Sequence, residues 1–199
     1  MGKDSLYVIV GLGNPGIDYI GTRHNIGFDF INFLSKKWKI KIDILKWKSE
    51  IGEGNIAFDD KEERIILAKP LTYMNLSGEA VKEIVSNLNL PLENLVVVHD
   101  DVDLPPGGVH FIRDRGDGGH KGVRSIIHHL NSRDFFRLRF GIGRPIDELD
   151  MVNYVLSGVP LKDKKLISKA FLLGEEILKT FINYGEKKAI SKSNKKGIY

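Results

Sequence analysis

The sequence contains no cysteine, only two tryptophans and no long apolar run. Without cysteine the chain can form no disulfide, no thiolate zinc site and no cysteine nucleophile, and its composition suits a reducing cytoplasm. The start, MGKDSLYVIVGLG, is not a signal peptide, because its apolar run at residues 6–10 is short and ends in glycines. No stretch is long enough to span a bilayer. We therefore expect a cytoplasmic protein with no membrane partner.

The overall composition predicts one soluble domain. The chain has 199 residues, of which 42% are hydrophobic and 28% are charged, which is enough to build a core. Its net charge of +4 permits a nucleic-acid partner without requiring one. Basic residues concentrate at 36–48, 113–144 and 187–196, although any one such cluster is more typical of a solvated surface. We expect a domain over residues 1–185 and a basic tail over residues 186–199, whose composition favours mobility.

The hydrophobic pattern predicts the α/β class. Short apolar runs predict buried strands at residues 6–10, 65–68 and 95–98, and alternation predicts a half-buried strand at 138–142. A turn at residues 105–108 predicts a further hairpin strand around 109–112. Helical spacing of apolar residues appears around 30–38, 80–88, 123–130 and 166–181. Because strands and helices alternate, we expect helices packed on one central sheet.

A glycine-rich loop follows the first strand. Gly11, Gly13 and Gly16 match the G-x-G-x-x-G fingerprint of dinucleotide-binding folds. That mechanism needs a helix at the glycines, whereas no helical pattern appears before residue 27 and Pro15 removes an amide donor. The pattern therefore favours a turn that directs the amide of Asn14 into a cleft. A dinucleotide-dependent oxidoreductase stays an alternative, which binding of NAD or FAD would test.

Two further segments carry titratable side chains suited to catalysis. His24 lies in the same loop, where a histidine is either a general base or a satisfied loop residue. Asp100 and Asp101 follow a buried strand, at the edge where α/β sheets form ligand clefts. A carboxylate there could orient an imidazole or bind a metal. Since neighbouring residues of an extended segment point to opposite sides, the metal alternative is disfavoured.

Two polar segments precede predicted helices. The simplest interpretation of residues 69–78, KPLTYMNLSG, is that Asn75 or Ser77 caps the helix that follows them. Residues 116–122, GDGGHKG, either form a turn or present free amides to a phosphate or a carbonyl oxygen. The sequence has no G-x-S-x-G elbow, no H-E-x-x-H motif and no P-loop lysine.

Taken together and in this order, the motifs resemble those of bacterial peptidyl-tRNA hydrolases. The matching runs are V-G-L-G-N-P-G-x-x-Y-x-x-T-R-H-N-x-G, K-P-x-T-Y-M-N-x-S-G, H-D-D-x-D-L-P-x-G, G-G-H-x-G and R-x-R-x-G-I-G-R-P. They span residues 6–145, with looser similarity to the end. The resemblance implies a monomeric single domain, a mixed sheet wrapped by helices, no metal and no cofactor. It also implies hydrolysis of the ester bond between peptide and tRNA.

The resemblance assigns a role to each matching position. His24 would be the general base that activates water, Asp100 would orient its imidazole, and Asn14 would bind the peptide backbone. The remaining positions would contact the tRNA or line the cleft: Tyr19, Tyr73, Met74 and Asn75 at the 3′ end, His120 at the rim, Lys121 beside it, and Arg139 in a clamp on the phosphates.

The chain departs from the family pattern at two places. Lys121 stands where the family usually has asparagine, so that a donor-only cation replaces an amide that both donates and accepts. His110 and Ile112 stand where the family tends to have basic side chains. A non-catalytic RNA-binding homologue is the alternative function, but such a protein would not need His24, Asp100 and Asn14.

Overall fold

The computed structural model describes residues 5–58, 61–145 and 151–195. Within these ranges the centre of the molecule is a 7-stranded sheet with the order β2-β3-β4-β1-β5-β7-β6. Its strands are β1 (Leu6–Gly11), β2 (Ile44–Lys46), β3 (Ser49–Phe58), β4 (Lys61–Pro70), β5 (Leu95–Asp101), β6 (Val109–Arg113) and β7 (Phe136–Gly141). The four middle strands, β4, β1, β5 and β7, are parallel, and β2, β3 and β6 are antiparallel to their neighbours. The mixed sheet confirms the expected fold class.

Helices cover both faces of this sheet. They are α1 (Ile26–Trp38), α2 (Ser77–Leu88), α3 (Lys121–Leu130), α4 (Met151–Val155), α5 (Leu161–Tyr184) and α6 (Glu186–Lys195). One buried cluster joins α1, α5 and α6 to the sheet through side chains such as Phe30, Ile177 and Phe181. The other cluster joins α2 and α3 to the opposite face, through Val81 and Val123 among others. Among the described residues, no helix combines the length and apolarity needed to cross a membrane.

The chain after residue 185 begins with helix α6. Ala189 and Ser193 of this helix are fully buried, and Ala189 belongs to the same core cluster as α1 and α5. The last residues, 196–199, lie outside the described ranges. The division into a domain and a mobile tail stays a prediction.

Strands β2 and β3 were missed by the sequence analysis. Their hydrophobic pattern is weak because Gly52 and Gly54 occupy β3 at positions where a larger residue would be expected. Ile40 and Lys41 cross these positions, and a Cβ at Gly52 would lie 2.4 Å from the carbonyl oxygen of Lys41. The hairpin strand predicted around 109–112 corresponds to β6, but its partner is β7, which lies between β5 and β6.

Gly27 brings the start of α1 against the sheet. A Cβ at this position would lie 2.4 Å from both the nitrogen and the oxygen of Leu12, and 2.6 Å from the oxygen of Val98. The first turn of α1 therefore touches the chain just beyond β1 and near the end of β5. The glycines at 11–16 are followed only by a three-residue 3-10 turn at Ile17–Tyr19, and α1 begins at Ile26, so the α-helix that a dinucleotide site needs at the glycines is missing there.

Candidate functional site

A cleft of about 1130 Å³ opens at the carboxyl ends of the parallel strands. Loops that follow β1, β4 and β5 end at this same edge, which is why residues far apart in sequence meet there. All the site residues expected from the sequence line the cleft except Tyr19: Asn14, His24, Tyr73, Met74, Asn75, Asp100, His120, Lys121 and Arg139.

His24 and Asp100 are in direct contact. Nδ1 of His24 lies 2.9 Å from Oδ1 of Asp100, whose side chain is only 3% exposed. Asp100 is ionised: burial by itself would raise the pKa of its carboxyl group, but His120 and His24 hold that pKa well below its ordinary value. An ionised carboxylate only accepts, so the proton of His24 lies on Nδ1. In the neutral imidazole Nε2 then carries the lone pair, and no hydrogen bond to a described residue occupies it.

His120 shares the same carboxylate oxygen. Its Nε2 lies 2.9 Å from Oδ1 of Asp100, and its Nδ1 accepts the backbone N–H of Val123 at 3.2 Å. The second contact makes His120 the N-cap of α3. The side chain of His120 is 8% exposed, and the residue lines the cleft. The residue lies inside the cleft because capping α3 turns its ring toward Asp100.

The group His24, Asp100 and His120 has the composition of a metal site. Their candidate ligand atoms all lie within 4.8 Å of one another. However, the N–H of Val123 requires a lone pair on Nδ1 of His120, which places the proton of that ring on Nε2. A metal ion at Asp100 would need Nε2 without its proton, and His120 would then lose its capping bond. The hydrogen bonds therefore favour a carboxylate with two imidazole donors over a metal centre.

Asn14 is fixed by reciprocal amide contacts. Its backbone N–H donates to Oδ1 of Asn25 at 2.8 Å, and its carbonyl oxygen accepts Nδ2 of Asn25 at 3.0 Å. Its side-chain Oδ1 accepts the backbone N–H of Met74 at 2.8 Å. With Oδ1 occupied, the Nδ2 group of Asn14 remains as a donor at the cleft wall.

The segment after β4 forms one wall of the cleft. Met74 is buried at the start of a short 3-10 turn, whereas Tyr73 and Asn75 on either side are exposed. Tyr19 does not line the cleft, but its ring packs edge-on against the ring of Tyr73 at a centroid distance of 6.3 Å. Tyr73 thus lines the cleft, and the ring of Tyr19 packs against it.

The opposite end of the cleft is rich in arginine. Arg139 forms a two-point ion pair with Asp101 through Nε and Nη2. Arg137 is 2% exposed and donates from Nη1 to the carbonyl oxygen of Gly116 at 2.7 Å. Its Nε and Nη2 have no partner among the described residues, and burial lowers the pKa of its guanidinium to about 10. Lys121 lies exposed at the start of α3.

Besides Arg137, the residues of the site that were not identified from the sequence include Asn25, Arg23 and His99. Asn25 holds Asn14, and Arg23 anchors the loop to the segment after α4 by donating to the oxygen of Gly158 at 2.9 Å. His99 is buried, and its Nδ1 donates to the carbonyl oxygen of Asp100 at 2.7 Å. Burial lowers the pKa of His99 well below its usual range, and the nearby His120 lowers it further. Each lies next to a residue that was identified, but only the fold gives it a partner.

Comparisons with known proteins agree on one family. The family model described as peptidyl-tRNA hydrolase matches residues 8–198. The curated peptidyl-tRNA hydrolase of Clostridium tetani is 44% identical over 190 residues, which cover 95% of this chain and 97% of that protein. The one from Caldanaerobacter subterraneus is 47% identical over 189 residues, covering 95% of this chain and 100% of that protein. The crystal structure of peptidyl-tRNA hydrolase from Acinetobacter baumannii superposes with a TM-score of 0.86 at 33% identity, covering 98% of this chain and 97% of that one.

Proposed function

Because the chain belongs to the peptidyl-tRNA hydrolase family, we propose that it hydrolyses the ester bond between peptide and tRNA, with His24 as general base. The products are a free peptide and a tRNA that can be charged again. The observation that carries the proposal is the hydrogen bond from Nδ1 of His24 to the ionised Asp100, which leaves the Nε2 lone pair open to the cleft. The comparisons give no support to the alternative of a non-catalytic RNA-binding homologue.

The proposed reaction uses a water molecule as its nucleophile. Nε2 of His24 removes a proton from water as the water oxygen attacks the ester carbonyl, and the same proton can then pass to the leaving ribose oxygen. Asp100 stabilises the imidazolium formed on the way, because a carboxylate 2.9 Å away favours the positive charge. General-base assistance of this kind accelerates a reaction by about 10² to 10⁴.

Amide groups would stabilise the negative charge that develops on the carbonyl oxygen. Asn14 offers the Nδ2 donor left by its bond to Met74, and it is held without needing to reorganise during the reaction. The same donor suits a peptide carbonyl, so Asn14 could distinguish a peptidyl ester from a free aminoacyl ester, which has no such group. Asn75 faces the cleft from the neighbouring turn and can contribute a second amide.

We assign the two ends of the cleft to different parts of the substrate. Tyr73, Met74 and Asn75 would line the path of the tRNA 3′ end, with Tyr19 behind Tyr73. At the other end, Arg139 would contact phosphates. Asp101 takes one N–H from each of Nε and Nη2 of Arg139, so both N–H groups of Nη1 and the second one of Nη2 are available to phosphate oxygens. Lys121, which is exposed at the start of α3 and lines the cleft, would add a point charge.

The proposal extends to cellular context and assembly. The base, the carboxylate and the amide donor all belong to one chain, and the mechanism calls on no group from a second copy. We therefore expect a monomer that acts in the cytoplasm, where peptidyl-tRNA arises, without a metal or cofactor.

The deciding experiment follows peptide release from an N-blocked aminoacyl-tRNA, with free aminoacyl-tRNA as the substrate control. His24→Ala should lower hydrolysis at least about 100-fold while leaving tRNA affinity nearly unchanged. His128→Ala is a matched control, because His128 is on α3 and does not line the cleft. Near-normal turnover by His24→Ala would overturn the proposed mechanism, and equal cleavage of the two substrates would overturn the proposed specificity.

A further inference from the structure

His120 can influence His24 through Asp100, although the two histidines are not hydrogen-bonded to each other. Both imidazoles contact one atom, Oδ1 of Asp100, each at 2.9 Å, and their ring centroids lie 4.9 Å apart. The role assigned to His24 needs only one of these contacts. The second donor therefore calls for its own explanation.

The tautomer of His120 is fixed from the helix side. Val123 donates its backbone N–H to Nδ1, so the ring must present N–H at Nε2, toward Asp100. Histidine is an unusual N-cap, since serine, threonine, aspartate and asparagine are the residues that helices prefer there. None of those side chains could cap α3 and also reach Asp100 with a donor. With histidine at this position, one side chain caps α3 and also donates to the carboxylate of Asp100.

We propose that His120 is a positioning residue of the reaction, which fixes Asp100 and limits how strongly that carboxylate stabilises protonated His24. The inference rests on the proposed function of His24 as the base. A donor directed at Oδ1 offsets part of the negative charge felt by His24. The effect is to keep His24 in its free-base form at a lower pH than Asp100 alone would allow.

Apart from His24, His120 is the titratable side chain among the described residues that donates to the carboxylate of Asp100. Asp100 on β5 is faced by His24, from the turn before α1, and by His120. His120 is also faced by His99 on β5, whose ring centroid lies 4.7 Å away, and by Asp117 of its own loop. The bond from His99 goes to the backbone oxygen of Asp100, and Asp117 pairs with Arg124, so neither donates to the carboxylate.

Two substitutions separate the capping contact from the contact to Asp100. Asparagine carries its amide oxygen at about the reach of Nδ1, so His120→Asn retains the cap on Val123 and loses the donor to Asp100. Glutamine carries its amide nitrogen at about the reach of Nε2, so His120→Gln retains the donor and loses the cap. His120→Asn should therefore change catalysis and leave helix stability unchanged, whereas His120→Gln should lower helix stability and leave catalysis unchanged.

The test measures kcat/KM against pH for both variants with an N-blocked aminoacyl-tRNA. His120→Asn should move the acidic limb to higher pH by about half a unit to one unit, and so lower the rate on that limb about 3- to 10-fold. At alkaline pH the rate should stay within about 3-fold of the wild type. His120→Gln should leave the limb in place although it melts at a lower temperature. An unmoved limb in His120→Asn, or an equal shift in both variants, would overturn the inference.

A measurement on the unmodified protein guards against variants that fail to fold. The ¹⁵N shifts of the His120 ring should identify Nε2 as the protonated nitrogen and Nδ1 as the unprotonated one. The opposite tautomer would overturn the inference. Full turnover by His24→Ala would instead remove the proposed function, so the two failures can be told apart.

Discussion

Substituting Asp100 by asparagine is the sharpest test of the hydrogen-bonded cluster. Both imidazole donors meet on Oδ1, so an asparagine can accept both with its amide oxygen and keep the geometry. What the substitution removes is the charge. Turning the amide would place an NH₂ group against the two donors, and His120 opposes that rotation because Val123 fixes its proton on Nε2. His24 therefore keeps its tautomer in the Asp100→Asn enzyme.

The expected loss follows from the interaction that is removed. A hydrogen bond to a charged group contributes about 1.5–3 kcal/mol, which corresponds to roughly 10- to 150-fold in rate. A wrong tautomer of the base costs far more, about 10⁴-fold in a histidine–carboxylate arrangement. We therefore expect Asp100→Asn to lose about 10- to 150-fold in kcat/KM. Its acidic limb should move to lower pH, because the carboxylate no longer favours the imidazolium.

The double variant Asp100→Asn with His120→Asn provides the contrast. Without the Nε2 donor the asparagine at position 100 is free to rotate, and the loss should approach about 10⁴-fold. The assay is peptide release from an N-blocked aminoacyl-tRNA between pH 5 and pH 9 under single-turnover conditions. A single Asp100→Asn variant that already loses about 10⁴-fold would refute the argument that His120 holds the tautomer.

Two further predictions concern Lys121 and His99. Lys121→Asn should retain or improve turnover at low salt. Its tRNA binding constant should fall less steeply with salt concentration, by about one phosphate contact. An unaltered salt dependence in binding titrations would mean that Lys121 does not contact a phosphate. The folded-state pKa of His99 is lowered, so its contribution to stability is present above the unfolded value of about 6.5 and is lost as pH falls below it, by about 1 kcal/mol per pH unit. His99→Gln should flatten the loss of unfolding free energy between about pH 6.5 and pH 5 in urea titrations; an equal slope in both proteins would mean that native His99 is not held neutral.

The regular elements of the parallel core were predictable from the sequence. Strands β1, β4 and β5 are short apolar runs, and α2 and α5 carry clear apolar stripes, since burial on one face imposes the pattern. The hairpin of β2 and β3 was not predictable, because β3 uses glycines to fit beneath Ile40. The insertion of β7 between β5 and β6 was not predictable either. It depends on a pairing between residues distant in sequence, which no local pattern records.

The site likewise has a part that was predictable from the sequence and a part that was not. The resemblance indicated that His24, Asp100 and Asn14 belong together, and the fold gathers them at one cleft. It could not indicate that His120 and His24 share one oxygen, or that Asp101 pairs with Arg139. Those contacts depend on distances between side chains of different elements. The direction of the His120 ring, for example, follows from the cap on α3 and not from the motif G-G-H-x-G.

The close approach at Gly27 bears on how enzymes of this kind can diversify. The backbone around Gly27 presses on Leu12 and Val98, so the turn that carries His24 cannot shift unless two strands shift with it. Tyr19 and Tyr73 meet only through their exposed or half-exposed rings, and other side chains could replace them without disturbing the sheet. Variation in substrate preference should therefore accumulate at the entrance. The position of His24 would be inherited unchanged, because the packing of the sheet fixes it.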